Sequence, residues 1–171
     1  MIHVVVDDLA FHASDAIVRP ATARLDATTP TVRRLEQIGG PEFQRRLRVQ
    51  RDLAVGAAVV TGAGGDLATE FVIHAIIQSD TEPATASSVR RAWQSALERA
   101  AAWSFVRLST PPLGTGAGNL SLEDASEIMV QVLKAHGAAA DYPAEVTVVV
   151  ETPLEREVFE AALRRWVAAD S

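Results

Sequence analysis

The chain has 171 residues, of which 16 are Lys or Arg and 22 are Asp or Glu, so its formal net charge at pH 7 is −6. This length suits one compact domain, and a hydrophobic fraction of 48% excludes a disordered chain. The lack of cysteine excludes a disulfide framework and a Cys nucleophile. The acidic balance and the lack of a long apolar run argue against nucleic-acid and membrane partners.

Strands and helices are predicted to alternate along the chain. Short apolar or β-branched runs bounded by turn residues predict six strands. They cover residues 2–6, 16–18, 55–61, 71–77, 105–109 and 146–150. The glycine-rich residues 61–65 predict a plain turn between the third and fourth strands. The last strand is apolar throughout, as is typical of a central parallel strand.

The first helix has clear boundary signals. Thr29 is an N-cap residue, and Pro30 follows at the first helical position. We expect this helix to run to Gly39 and Gly40, and a second short helix to cover residues 41–51.

Three further helices follow from spacing and caps. Apolar residues recur at helical spacing around Trp93, which predicts an amphipathic helix with Trp93 in the core. Ser121 is a good N-cap for the next helix, and Asp124 stands where a capping box places an acid. Residues 154–167 predict a closing helix. Strands that alternate with helices predict an α/β sandwich, whose ligands bind at the carboxyl ends of the strands.

The glycine-rich loop over residues 114–119 carries the best chemical signal. It follows a strand and leads into the helix capped by Ser121. Glycines allow backbone N–H groups to approach an anion, and a helix N-terminus adds partial positive charge. A phosphate or diphosphate suits this loop, and a plain glycine-rich turn is the alternative. A dinucleotide fingerprint is disfavoured because its third glycine would fall at Asn119 and the loop lies late in the chain.

Asp8 and the histidines allow further interpretations. Asp8 directly follows the first strand, so its carboxylate accepts either a ligand amine or the hydrogen bonds of a turn. His74 stands in an apolar strand, which favours a buried, hydrogen-bonded role over a catalytic one. The other histidines, His3, His12 and His136, share no metal-ligand spacing. We expect no metal and no cofactor.

The order of several short stretches resembles the macro domain (the Appr-1-p processing family), a module that binds ADP-ribose. These stretches are Asp-Asp-Leu at 7–9, Asp-Ala-Ile-Val at 15–18, Gly-Gly-Pro at 39–41, Val-Gly at 55–56, Val-Thr at 60–61, Val-Ile-His-Ala at 72–75 and Pro-Leu-Gly-Thr-Gly at 112–116. The resemblance implies a three-layer α/β/α sandwich with a mixed, mostly parallel six-stranded sheet. It covers nearly the whole chain and implies one domain over residues 1–171.

The resemblance also implies a set of ligand-binding positions. Asp8 matches the aspartate that binds the adenine amino group, and Leu9 lies beside it. Thr22 stands where an asparagine of the family contacts the distal ribose. The loop that wraps the diphosphate and distal ribose corresponds to Gly114, Thr115, Gly116, Ala117, Gly118 and Asn119.

The first half of the site departs from the family. Residues 19–22 read Arg-Pro-Ala-Thr where the family usually reads Asn-Ala-Ala-Asn, and residues 27–31 lack the family's glycines. Gly118 replaces an aromatic residue that stacks on the ribose. Arg19 either pairs with a phosphate or fills the ribose pocket and forms an ion pair with Asp8 or Asp26. The second interpretation is favoured because arginine is large and the neighbouring loop has also changed.

We therefore expect a module that binds ADP-ribose or a related adenine nucleotide, with weak or divergent affinity and a cytoplasmic location. An ADP-ribosylated protein is a second expected partner. One alternative is a hydrolase of ADP-ribosyl or O-acetyl-ADP-ribose esters, for which no catalytic residue is assigned. Another alternative is a degenerate domain that serves as a structural or interaction piece. The departures at Arg19 and Thr22 argue most strongly against the hydrolase.

Overall fold

Six strands form one sheet in the computed structural model, which describes residues 1–48, 52–116 and 120–169. The strands are β1 (Ile2–Val6), β2 (Ala16–Thr22), β3 (Ala58–Gly62), β4 (Phe71–Gln78), β5 (Arg107–Thr110) and β6 (Glu145–Val150). Their order is β1-β6-β5-β2-β4-β3, and every pair is parallel except β3 with β4. This confirms the predicted mixed, mostly parallel sheet.

Helices cover both faces of the sheet, which confirms the three-layer α/β/α architecture. They are α1 (Pro30–Arg46), α2 (Ala86–Ala102), α3 (Leu122–Ala139) and α4 (Pro153–Ala169). Helices α2, α3 and α4 pack on one face and α1 on the other, together with a short 3₁₀ turn at Leu9–Phe11. None of the helices in the described part of the chain is both long and apolar enough to span a bilayer.

The larger part of the core lies under α2, α3 and α4. Trp93 is fully buried there, as predicted, and its indole Nε1 donates to the Met129 carbonyl at 3.1 Å. This bond satisfies the one polar group of the side chain, so Trp93 adds apolar area without an unpaired donor. On the opposite face, Leu35 and Phe43 of α1 pack against the sheet.

The helix boundaries follow the local signals. The Thr29 hydroxyl accepts from the Val32 N–H at 3.3 Å, and Ser121 accepts from Asp124 N at 3.1 Å, so both N-caps are confirmed. The expected break in the first helix is a kink at Gly40, whose φ is +76°. The segment after the kink ends at Arg46, earlier than the predicted residue 51.

Three strand boundaries differ from the predictions by more than one residue. Strand β2 continues through Pro20 to Thr22 because it pairs with β4 over this whole length, whereas its pairing with β5 covers only Ala16 and Ile17. A strand segment with a neighbouring strand on one side only tolerates a proline, because the missing N–H need not bond to a second strand. Strand β3 begins only at Ala58, since Gly56 adopts a φ of +93° in a turn. Strand β5 begins at Arg107 because the backbone turns at Ser104, where φ is +55°.

The parallel strands bring the segments that follow them to one edge of the sheet. β1, β6, β5, β2 and β4 run in the same direction, so the segments after their carboxyl ends lie along this edge. The N-terminus of α1 reaches the same edge, since Thr31 of its first turn donates a hydrogen bond to Glu151, which follows β6. This is the edge where α/β proteins place their ligands.

Candidate functional site

Two adjoining clefts open at this edge of the sheet. The first cleft has a volume of about 420 Å³ and is lined by Val6, Asp7, Asp8, Leu9, Ala10, Thr31, Arg34, Leu35, Val149 and Glu151. The second cleft has a volume of about 430 Å³ and is lined by Thr29, Pro30, Thr31, Pro111, Pro112, Thr115, Gly116, Leu120, Leu122, Val149, Glu151 and Glu155. Thr31, Val149 and Glu151 line both clefts, so the two form one groove across β1, β6 and β5.

Asp8 lies in the first cleft and has two protein partners. Its Oδ1 accepts from the Ala10 N–H at 3.2 Å, which caps the 3₁₀ turn. Its Oδ2 accepts from Nη2 of Arg34 at 2.6 Å. Both side chains remain open to solvent, with Asp8 40% and Arg34 52% exposed. Asp8 therefore performs the turn-capping role and still presents its carboxylate to the cleft.

The second cleft combines a helix N-terminus with the loop after β5. Thr29 and Pro30 form the start of α1, and Thr115 and Gly116 face them across the cleft. Unpaired N–H groups at a helix start favour an anion. Two carboxylates, Glu151 and Glu155, also line this cleft and oppose that preference by their charge.

Arg19 lies in the interior, outside the linings of both clefts. It is fully buried, and its guanidinium donates to Glu36 Oε1 at 2.7 Å, to the Leu25 carbonyl at 3.1 Å and to His74 Nδ1 at 2.9 Å. Arg19 forms an ion pair, as predicted, and its place in a former ribose pocket stays a prediction. The predicted ion-pair partners, Asp8 and Asp26, were wrong, because α1 presents Glu36 to this face of β2.

His74 completes this buried network. Arginine only donates hydrogen bonds, so His74 Nδ1 accepts and its Nε2–H donates to the Thr61 hydroxyl at 2.8 Å. The ring is fully buried and lies 6.2 Å from the Phe43 ring, centroid to centroid. The buried, hydrogen-bonded role predicted for His74 is confirmed.

Burial dominates the titration of this network. Loss of hydration lowers the pKa of Arg19 to about 10, against the attraction of Glu36. The same loss lowers the pKa of His74 well below its usual value, and the positive charge of Arg19 lowers it further. Burial raises the pKa of Glu36, although Arg19 opposes that shift. At neutral pH the network therefore holds a charged arginine beside a neutral imidazole.

The remaining predicted site residues fall into three groups. Leu9, Thr115 and Gly116 line the clefts with Asp8. Gly114 and Thr22 line neither cleft: Gly114 adopts a φ of +84°, and the Thr22 hydroxyl accepts from Asp26 N at 3.1 Å within a turn. Ala117, Gly118 and Asn119 lie outside the described residues, so their predicted contacts stay predictions.

Three cleft residues were not predicted from the sequence, namely Thr31, Arg34 and Glu151. A signal existed for Arg34, because it lies three positions after Thr31 and therefore on the same face of α1 as that residue. Glu151 directly follows the apolar strand β6, as Asp7 follows β1. Among residues 1–48, 52–116 and 120–169, no three His, Asp or Glu side chains are grouped so as to hold a metal ion.

Comparisons with known proteins point to one family. The family model described as Macro domain matches residues 18–129. A protein of Mycobacterium tuberculosis is 31% identical over 122 residues, which cover 71% of this chain and 34% of that protein. The chain therefore spans about a third of the length of this relative.

Two further matches cover most of both chains. O-acetyl-ADP-ribose deacetylase 1 of Pantoea vagans is 30% identical over 139 residues, covering 78% of this chain and 81% of the relative. The structure of an Oceanobacillus iheyensis macrodomain with ADP superposes with a TM-score of 0.84 at 20% identity, covering 97% of this chain and 91% of that one. The structural match supports the fold.

Proposed function

The chain belongs to the macro domain family, and on that premise we propose that it binds ADP-ribose or a related nucleoside diphosphate ribose. The Pantoea vagans relative is named for O-acetyl-ADP-ribose, and the Oceanobacillus iheyensis macrodomain has a structure with ADP. We take residues 1–171 as one binding module. An ADP-ribosylated side chain on a partner protein would present the same ligand.

The observation that carries this proposal is the continuity of the two clefts. Asp8 offers a hydrogen-bond acceptor for a base at one end of the groove. The start of α1 and the Thr115–Gly116 backbone offer N–H groups to phosphates at the other end. Thr31 and Glu151 line both clefts and so join the two ends of the groove. A ligand with a base, a diphosphate and a second sugar has the matching sequence of groups.

The dissociation constant for ADP-ribose is expected in the micromolar range or weaker. The corresponding free energy of binding is on the order of −8 kcal/mol or less favourable. One cause is the pair of carboxylates, Glu151 and Glu155, at the phosphate end. The other is the glycine-free segment before α1, which brings fewer backbone N–H groups close to a diphosphate.

Titration calorimetry with ADP-ribose tests the proposal, with ADP, AMP and NAD as comparisons. A ligand that binds only the folded state also raises the melting temperature, which gives an independent readout. Asp8→Ala should weaken ADP-ribose binding by roughly 1–3 kcal/mol through the lost hydrogen bond. Absence of heat and of any thermal shift at millimolar ADP-ribose would remove the proposal and favour a structural or interaction role.

Hydrolysis of O-acetyl-ADP-ribose is a second candidate, because the Pantoea vagans relative is named for it. Such a reaction needs a group that orients the distal ribose and its attacking water. At the corresponding position, the Thr22 hydroxyl is engaged by the N–H groups of Arg24 and Asp26. We expect little or no turnover of O-acetyl-ADP-ribose or of ADP-ribosylated protein. Release of ADP-ribose in proportion to protein concentration would establish the hydrolase instead.

A further inference from the structure

We propose that a pocket beside the groove binds an acidic segment of a partner protein whose ADP-ribosylated side chain occupies the groove. The inference rests on the proposed function and names the class of partner for that same site. This arginine pocket has a volume of about 390 Å³ and is lined by Arg24, Leu25, Asp26, Glu36, Gln44, Leu47 and Arg48. Its lining shares no residue with either cleft.

The arginine pocket is the next opening along the carboxyl edge of the sheet. The strand order along this edge is β1-β6-β5-β2. The first cleft lies at the ends of β1 and β6, the second lies at the ends of β6 and β5, and residues 24–26 of the pocket follow β2. Asp26 of the pocket precedes Thr29 of the second cleft by three residues, which span at most about 11 Å. With the base in the first cleft and the diphosphate in the second, the second sugar and any side chain attached to it extend toward this pocket.

The segment that builds the pocket is strongly basic. Residues 19–51 contain eight of the 16 basic residues of the chain, all of them arginine, and three of its 22 acidic residues. The formal charge of this segment is therefore +5, whereas the rest of the chain carries −11. The first cleft has the opposite balance, since Asp7, Asp8 and Glu151 line it with one arginine, Arg34. Charge complementarity thus favours an acidic occupant for the arginine pocket and disfavours one at the other end of the groove.

Two arginines of the pocket are available to a partner. The side chain of Arg48 is exposed and has no hydrogen-bond or ion-pair partner among the residues that the structure describes. Arg24 is 68% exposed, and its Nε lies 2.9 Å from Oδ1 of Asp52, which is 60% exposed. Water already screens such an exposed pair, so Arg24 can exchange Asp52 for a carboxylate of a partner at little cost.

The lining favours an acidic peptide over a nucleic acid. None of the described residues that form the pocket is aromatic, so bases have no side chain on which to stack. Asp26 and Glu36 line the pocket together with the arginines and would repel a closely spaced row of phosphates. The charge of Glu36 is offset by its 2.7 Å ion pair with buried Arg19. A peptide can place single carboxylates beside the arginines and keep them away from Asp26.

Titrations of the whole chain with two synthetic peptides test the inference. Both peptides carry one ADP-ribosylated serine, which is flanked by glutamates in one peptide and by glutamines in the other. The wild-type chain should bind the glutamate peptide about fourfold more tightly, since each new exposed ion pair contributes a factor of about two. This preference should shrink as salt is added.

A pair of double variants assigns the preference to the pocket. Arg24→Gln combined with Arg48→Gln should abolish the preference for the glutamate peptide and change the affinity for free ADP-ribose by less than about twofold. The matched control, Arg107→Gln combined with Arg164→Gln, removes the same charge from exposed arginines of β5 and α4. The control should keep the preference, and an equal loss in both double variants would overturn the inference, because net charge alone would then explain it.

Free ADP-ribose and an unmodified single-stranded DNA oligonucleotide separate the remaining outcomes. If free ADP-ribose binds and the two peptides bind equally, the assignment of the pocket is wrong and the proposed function stands. If the oligonucleotide binds more tightly than the glutamate peptide and loses affinity in the Arg24 and Arg48 double variant, the pocket takes a nucleic acid and the inference is wrong. If neither free nor peptide-bound ADP-ribose binds, both the inference and the proposed function are wrong.

Discussion

Two arginine–carboxylate ion pairs link α1 to other segments, and their nitrogen–oxygen distances are nearly equal. Nη2 of Arg19 lies 2.7 Å from Oε1 of Glu36, and Nη2 of Arg34 lies 2.6 Å from Oδ2 of Asp8. Their surroundings differ: Arg19 is fully buried and Glu36 is 22% exposed, whereas Arg34 is 52% and Asp8 40% exposed. Since the two distances are nearly equal, burial rather than distance places the Arg19 pair in the interior of the fold and leaves the Arg34 pair accessible from the cleft.

The physical reason is the free-energy cost of removing a charge from water. A buried charge that loses its partner is left in a low-dielectric interior, whereas an exposed charge is stabilised again by water. The exposed pair can exchange water for a ligand at little cost, and the buried pair cannot.

Arg19→Met should have the largest effect on stability, with a loss of about 3 kcal/mol in the free energy of unfolding. The substitution leaves Glu36 without its cation and His74 without its donor. Urea denaturation measures the loss. As a control, Arg19→Met combined with Glu36→Leu removes both charges and should cost less than the single change. If the double variant is as unstable as Arg19→Met, packing rather than the unpaired charge explains the loss.

Caps, breaks and hydrophobic spacing between neighbouring residues predicted much of the fold. The two arginine–carboxylate pairs depend instead on contacts between residues that are distant in the sequence. Thr29 with Pro30 and the break at Gly40 concern neighbouring residues, so the sequence contains them directly. Glu36 lies 17 residues from Arg19, and Arg34 lies 26 residues from Asp8. Their pairing depends on the sheet order and on the rotation of α1 about its axis. The position of Asp8 at the end of β1 was therefore predictable from the local sequence, but its pairing with Arg34 was not.

The second prediction concerns pH and tests whether His74 stays neutral in the folded state. Burial and Arg19 lower the pKa of His74 in the folded state, whereas the unfolded chain protonates it near its usual value of 6.5. Below that value the unfolded state binds more protons, so stability is lost as the pH falls toward the lower folded pKa. Between pH 7.5 and 5.5 this loss should reach about 1.4 kcal/mol.

Urea denaturation at both pH values, with His74→Gln as the reference, isolates this contribution. Other groups titrate in both proteins, so the difference between the two pH dependences belongs to His74. The wild-type chain should lose more stability than His74→Gln. Identical pH dependences would mean that His74 accepts a proton in the folded state, contrary to its buried position.

The third prediction concerns Glu151, an exposed cleft carboxylate that bonds to the Thr31 hydroxyl. Its negative charge lies where the two clefts meet and borders the phosphate end of the groove, so Glu151→Gln should strengthen ADP-ribose binding by about threefold. Calorimetry measures the change, and it should shrink as salt is added. Glu157→Gln, an exposed change of equal charge in α4, should have no such effect. An equal gain in both variants would assign the effect to net charge alone.

The smallest effect is expected for Arg34→Met, the same substitution as at Arg19 but in the exposed pair. An exposed ion pair contributes little because water and salt already screen both charges, so the free energy of unfolding should change by less than about 0.5 kcal/mol. The methionine side chain can still pack on Phe11, which preserves the apolar part of the contact at that ring. Urea denaturation of both Arg→Met variants under one buffer makes the comparison direct. A loss at Arg34 as large as that at Arg19 would mean that the Asp8 pair supports the fold, and Asp8 would then be a structural residue rather than one held ready for a ligand.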